Sequence, residues 1–328
     1  MSHQIKGDGM HFWKIYELVG STAQIRDQLG KVRTCRFCRK DEKSTNFKKD
    51  AHALPELLGE NNFVIPDECD QCNTLFSVYE SHLSKFFLPY LSTVQVKGKK
   101  RVPAFHSRTE ENQEMTRTIM RQGEDGKLQL ILGKHDDLSI DHKNKKFSIR
   151  YRLAPHKPFY VYKALVKIGL SVLLPQYIEK YRSVIDWLMG ENPNTDYFPI
   201  VYITPIYNKK FATPFAELYQ AKSVFEGDGF HPEMTLIVNF GNLAIQIFMP
   251  LSNEFDYERS RNKSPQFEIY PAFAMYNFDK RKYKDAKPTD LVTINFKLTS
   301  VDLSSHESLT RDETINFSFS EFERKIES

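Results

Sequence analysis

All four cysteines of the chain fall between residues 35 and 72, as two Cys-x-x-Cys pairs, Cys35/Cys38 and Cys69/Cys72. A Cys-x-x-Cys step forms a tight knuckle that aims two thiolates at one point. Two such knuckles complete a closed tetrahedral site of four thiolates, the donor set of structural zinc. Disulfides and buried thiols are the alternatives, but two complete pairs with no cysteine left over favour the metal. Zinc of this kind holds a fold together and does not by itself assign an activity.

What the two pairs enclose is more informative. Between them stands His52, in Asp50-Ala51-His52-Ala53-Leu54-Pro55, and Asn73 directly follows the last cysteine. This His-x-x-Pro with a following Cys-x-x-Cys-Asn resembles the HNH endonuclease family, in its bacterial four-cysteine, zinc-stapled form, over residues 35–90. The resemblance implies a ββα-metal unit, a hairpin followed by a helix around one divalent ion such as Mg or Mn. It makes His52 and Asn73 the catalytic pair, His52 as general base and Asn73 as ligand of the catalytic ion. The implied chemistry is hydrolysis of phosphodiester bonds in DNA: His52 takes a proton from the attacking water, and the ion stabilises charge developing on the phosphate.

Two positions depart from the family pattern. Ala51 stands where a metal-binding acid or histidine is usual, and Val64 where an asparagine is expected, although Asn61 and Asn62 are near. Asp50, Glu80 and His82 compete for the remaining places on the catalytic ion. On a helix starting near Asn73, Glu80 shares the face of Asn73 and His82 points away, whereas imidazole chemistry favours His82. Ala51 and Val64 favour a rival of another class, a zinc-stapled module that binds nucleic acid or protein without cutting. His52, Pro55 and Asn73 favour the enzyme.

Composition sets the bounds. The chain has 328 residues, 40% of them hydrophobic, and a formal net charge of +4. That length can bury one large core or two modest ones, and the charge is compatible with nucleic acid without requiring it. Reduced thiols in a metal-type pattern point to the cytoplasm. The polar start of the chain has no signal-peptide core, and the apolar runs are too interrupted for a membrane span. The basic run with Lys97, Lys99, Lys100 and Arg101 suits phosphate contacts, with a solvated linker as the alternative.

These residues need elements to position them. Helical spacing predicts helices over 12–19 and around Ile25 and Leu29. A strand over 46–50 would present His52, and 63–65 would return. A helix over 73–87 would carry Leu75, Phe76, Tyr79, Leu83, Phe86 and Phe87 as its buried stripe, with Pro89 closing it. Beyond a polar stretch with Gly123-Glu124-Asp125-Gly126, strands are expected at 128–132, 137–141 and 146–153. A buried helix over 159–174 would hold Lys163 and Lys167 at an exposed edge, and a helix from Pro175 would end at Gly190. Strands follow at 198–204, 234–239, 243–249, 266–270 and 291–297, with Phe240-Gly241-Asn242 as a hairpin turn. Residues 317–326 suit a strand or a short helix.

The expected architecture is α+β in two parts. Residues 1–109 would form an N-terminal ββα-metal, treble-clef-like zinc domain with a helix before it. Residues 110–328 would form a larger α+β domain with a mainly antiparallel sheet. The second part has no phosphate loop or second metal cluster, and target binding, response to an activating ligand or partner, and homodimerisation all suit it. A nuclease held in check by such a part would match, in layout, a role in bacterial anti-phage defence.

Overall fold

The computed structural model describes residues 11–27, 33–98, 100–107, 118–133, 138–143, 146–190, 195–206, 209–272, 299–310 and 312–318. Helix α1 (His11–Ile15) runs straight into strand β1 (Tyr16–Ser21), followed by a 3₁₀ turn over Thr22–Asp27. The helix expected over 12–19 is thus a helix that becomes a strand, because Tyr16 to Ser21 pair with a strand from the far part of the chain. Partners remote in sequence override local spacing here.

The hairpin of β2 (Ala51–His52) and β3 (Val64–Ile65) is short, with Ala51 opposite Ile65 and His52 opposite Val64. Residues 46–50 are not the expected strand. The backbone N–H groups of Lys48 and Lys49 donate instead to Asp70 Oδ1, both at 3.0 Å, so their hydrogen bonds go to a side chain and not to a ladder. Helix α2 (Asp70–Thr93) starts earlier and ends later than expected, with Pro89 inside it. Pro89 withholds one N–H from the ladder, yet the last turn is held by Thr93 Oγ1 donating to the Pro89 carbonyl at 2.6 Å and Ser92 Oγ to that of Leu88 at 2.8 Å.

Strands β4 (Phe105–His106), β5 (Ile119–Gln122) and β6 (Leu128–Ile131) form one small antiparallel sheet. Strands β7 (Leu138–Asp141) and β8 (Lys146–Arg152) form the expected hairpin, completed by β17 (Asp312–Ser318). Residues 319–326 of the last predicted element lie outside the described residues.

Helix α3 (Pro158–Val172) is buried along its length except at Tyr160. Lys163 and Lys167 are buried with it, at 9% and 1% exposure, so the exposed edge expected for them does not exist. Each reaches oxygen acceptors inside the protein: Lys163 Nζ lies 3.4 Å and 3.3 Å from the carbonyls of Trp187 and Leu188. Pro175–Tyr177 is only a 3₁₀ turn, and α4 (Arg182–Met189) ends at Gly190, whose φ of 88° gives the left-handed cap expected of that glycine.

The main sheet has six strands in the order β1-β10-β13-β14-β9-β16, antiparallel throughout. It comprises β9 (Ile200–Pro205), β10 (Phe211–Ala221), β13 (Met234–Gly241), β14 (Leu243–Phe248) and β16 (Thr299–Asp302) beside β1. Gly241, with φ of 53°, makes the β13–β14 turn. Strands β11 (Phe225–Glu226), β12 (Gly229–Phe230) and β15 (Ser264–Pro265) form a minor sheet, and α5 (Tyr257–Ser260) lies between the last two. The strand expected at 266–270 is absent: Tyr270 N–H donates to Gln246 Oε1 at 2.8 Å, in place of a ladder partner. Residues 291–297 lie outside the described residues.

Helix α3 packs between α2 and the main sheet. One apolar core runs from Val19 and Ile25 through Phe37, Phe76 and Phe87 to Val166, Leu236 and Leu303. Its members lie on both sides of residue 110, and β1 is the edge strand of a sheet otherwise built after residue 199. The architecture is mixed α/β with mainly antiparallel sheets and a cluster of four cysteines.

Candidate functional site

The first cysteine pair turns on Arg39, whose φ of 61° lets the backbone double back. Cys35 N–H donates to the Lys40 carbonyl and Arg39 N–H to that of Cys35, both at 2.9 Å. The second pair sits on the start of α2: Cys69 is the N-cap and Cys72 lies in the first turn, where the positive end of the helix dipole favours thiolates. Cys35 Sγ lies 3.8 Å from Cys72 Sγ and Cys38 Sγ 3.6 Å from Cys69 Sγ, and all four sulfurs fall within 4.8 Å of one another. Thiolates on a tetrahedral zinc, each at about 2.3 Å, stand about 3.8 Å apart. The four sulfurs therefore suit a structural zinc. The Cys35–Cys72 hydrogen bond lowers Cys35 to about 5 and, with burial, pushes Cys72 well up. Burial also raises Cys38, to about 11. Close thiols oppose one another's ionisation, and a bound dication is what lets all four be thiolates.

Arg36 is buried between Cys35 and Phe37. Its Nε lies 2.9 Å and 3.0 Å from the two oxygens of Asp67, and its Nη1 donates to the carbonyls of Leu170 and Ser171, both at 2.9 Å. The first knuckle is thereby bolted to the last turn of α3, where a cation meets the negative end of the helix dipole.

His52 ends β2, half-buried, and its Nδ1 is buried with no hydrogen-bond partner. Asn73 lies half-exposed in the first turn of α2, its N–H donating to Cys69 at 2.9 Å, and Asp50 is exposed just before β2. His82 is committed elsewhere: Nδ1 accepts the N–H of Lys157, the N-cap of α3, at 2.9 Å, and its ring stacks edge-on with Tyr160. Burial, then the charges of Lys85, His156 and Lys157, lower its pKa. Glu80 turns toward α3, with Oε1 3.7 Å from Lys167 Nζ. Among the described residues, only the four cysteines form a group of three or more His, Cys, Asp or Glu side chains arranged to hold a metal.

Lys167 draws together groups that the sequence does not connect. Its Nζ donates to the His52 carbonyl at 2.5 Å and lies 3.3 Å from Glu68 Oε2. Glu68 is buried, and burial drives its carboxyl up to about 7, against the pull of Lys167 and with a further push from Glu80. Neither Glu68 nor Lys167 is marked by spacing or motif. The one signal is a charge inside an otherwise apolar helix, and that reads equally well as an exposed edge.

Of the basic run after α2, Lys97, Lys100 and Arg101 are exposed, and Lys99 lies outside the described residues. Lys97 pairs with Glu60 at 3.6 Å. A second group of basic residues, close in sequence to the first cysteine pair and to His52, is exposed: Arg33, Arg39, Lys40, Lys43, Lys48 and Lys49, of which Arg39 pairs with Asp186 at 3.7 Å. Interspersed Asp41 and Glu42 make this group inconspicuous in the sequence. Among the described residues, no helix is long and apolar enough to cross a membrane.

Comparison with known proteins adds nothing to this geometry. No protein-family model, curated protein or solved structure matches the chain.

Proposed function

We propose that the chain is an HNH-type endonuclease that hydrolyses phosphodiester bonds in DNA. One observation carries the reading: His52 stands on the first strand of a two-stranded hairpin that leads directly into a helix, and four cysteines gather at the start of that helix. This element order supports a reading as the ββα-metal, treble-clef type. His52, as unprotonated imidazole, takes the proton of the attacking water. Its Nδ1 makes no hydrogen bond within the fold. The exposed basic residues close in sequence to the first cysteine pair would hold the phosphate backbone.

A divalent ion would supply charge stabilisation at the phosphate. Asn73 and Asp50 are the oxygen donors of this chain suited to hold it, an arrangement fitting an ion that keeps several of its waters. The bond of His82 Nδ1 to Lys157 and the contact of Glu80 Oε1 with Lys167 favour Asn73 and Asp50 over both.

The commitments of Glu80 and His82 favour a second reading, a zinc-stapled module that binds nucleic acid without cutting it. Plasmid cleavage by the purified chain, with Mg²⁺, Mn²⁺ or Ni²⁺ added in turn and beside a His52→Ala variant that keeps its zinc, separates the two. Metal-dependent cutting lost in the variant is the expected result. Binding without cutting by both proteins supports the second reading, and equal cutting by both overturns the role of His52.

A further inference from the structure

Lys167 belongs to α3, outside the hairpin–helix unit, and its side chain is 1% exposed. Its sequence neighbours Val166 and Ile168 are buried apolar residues, and an apolar side chain would suit this stretch of helix. Burying an ammonium costs several kcal/mol unless partners repay it. The partners are three oxygens: the His52 carbonyl at 2.5 Å, Glu68 Oε2 at 3.3 Å and Glu80 Oε1 at 3.7 Å. They come from three separate segments, β2, the residue before the second cysteine pair, and α2. The ammonium donates to the His52 carbonyl and holds the two carboxylates at ion-pair distance.

Lys163, one turn earlier on the same helix, is the internal contrast. It is also buried, but it caps the carbonyls at the end of α4 and lies 5.0 Å from the ring centroid of Trp187. None of its partners, Trp187, Leu188, Phe159 and Tyr79, is itself a candidate site residue, and its role is to join helices. The three oxygens beside Lys167 among the described residues come from His52, Glu80 and Glu68, two candidate site residues and the neighbour of Cys69.

We propose that Lys167 is a positioning residue for His52. By holding the His52 carbonyl it fixes the peptide plane that aims the imidazole, and by standing between Glu68 and Glu80 it keeps both carboxylates from that carbonyl. The candidate site is then completed by α3, from the other half of the chain. The catalytic part of this inference rests on the nuclease reading of His52; the positioning part does not.

The test uses the full chain. His52–Ala53 is the only His-Ala step in the sequence, so histidine labelled with carbonyl ¹³C and alanine labelled with ¹⁵N give one carbonyl-to-amide NMR signal, from the peptide that Lys167 holds. In Lys167→Ala, with zinc content and far-UV circular dichroism unchanged, that signal should move. Propylammonium, which replaces the missing atoms, should return it, and tetramethylammonium, which has charge but no N–H, should not. Plasmid cleavage should follow: kcat falls about 100-fold, as expected for a misplaced reacting group, KM stays within about twofold, and propylammonium restores the rate.

An unmoved signal, an unchanged kcat in a cutting enzyme, or equal rescue by tetramethylammonium would overturn the proposal. If the unmutated chain does not cut DNA, the nuclease reading fails separately, and the labelled peptide alone decides whether Lys167 positions His52. If Lys167→Ala does not fold, the double variant Lys167→Met/Glu68→Gln removes both buried charges and is measured in the same way. A wild-type signal or rate in that variant also counts against positioning.

Discussion

Arg36 has a neighbour on each side that matters, Cys35 and Phe37, and its guanidinium is spent on Asp67 and on the carbonyls ending α3. Replacing it with Met would leave Asp67 without its partner and those carbonyls without donors. Arg36→Met is expected to cost about 1–3 kcal/mol, the scale for leaving buried hydrogen-bond partners unmet, because Asp67 keeps part of its side chain in water. Urea denaturation at fixed zinc content measures it, and a loss below about 1 kcal/mol would show the bolt to be ornamental. His82 offers a pH-dependent counterpart. Its folded pKa lies below the ordinary value of 6.5, so the unfolded chain binds its proton first. The stability that His82 contributes is present above about pH 6.5 and is lost as the pH falls through its lower folded pKa. Melting temperatures between pH 7.5 and 5 should fall less steeply in His82→Gln than in the unmutated chain; equal slopes would refute this. At this scale the cysteine quartet could be read in the sequence, because a metal knuckle needs only local spacing. Arg36, Glu68 and Lys167 could not, because a buried charge is defined by partners more than 30 residues away: |i−j| is 134 for Arg36 to Leu170 and 115 for Lys167 to His52.

Among the elements, β1 meets α3 at Gly20. A Cβ added there would stand 2.2 Å from the Val172 carbonyl oxygen, and that neighbour is backbone. Gly20→Ala should therefore force strand and helix apart and cost about 2–3 kcal/mol, the range for overpacking, read as a lower urea midpoint. An unchanged midpoint would mean that β1 can slide at its irregular register between Leu18 and Gly20. Periodicity located α2 and its stripe because Phe76, Tyr79, Leu83, Phe86 and Phe87 are all buried in it. It misplaced the end, since Pro89 breaks a helix only where nothing else holds the following turn. It misread the start of the chain for the converse reason: Phe12, Ile15, Tyr16 and Val19 are all buried, as a helix would bury them, but from two different elements.

For the whole molecule, the shared core predicts how unfolding proceeds. Calorimetry should show one transition, with no separate melting of residues 1–109, because α3 is held between α2 and the sheet. Removing the metal with a chelator should lower that single transition as a whole, since ligand binding to the folded state alone shifts the entire equilibrium. Two resolved transitions would support the division near residue 110. The four-cysteine cluster and the mainly antiparallel sheets were both legible in the sequence. The sequence could not show that they share a core, because each stretch reads as amphipathic whichever partner covers it.

The pairing of β1 with β10 also has a consequence in time. Tyr16 lies opposite Ala221, so β1 has no β10 partner until roughly 200 further residues exist, about 10–40 s at ordinary synthesis rates. During that interval Tyr16 to Ser21 form a bare edge beside the exposed apolar face of α1, the kind of segment on which nascent chains associate with one another. A chaperone acting on this protein would have most to do at α1 and β1, before β10 is made.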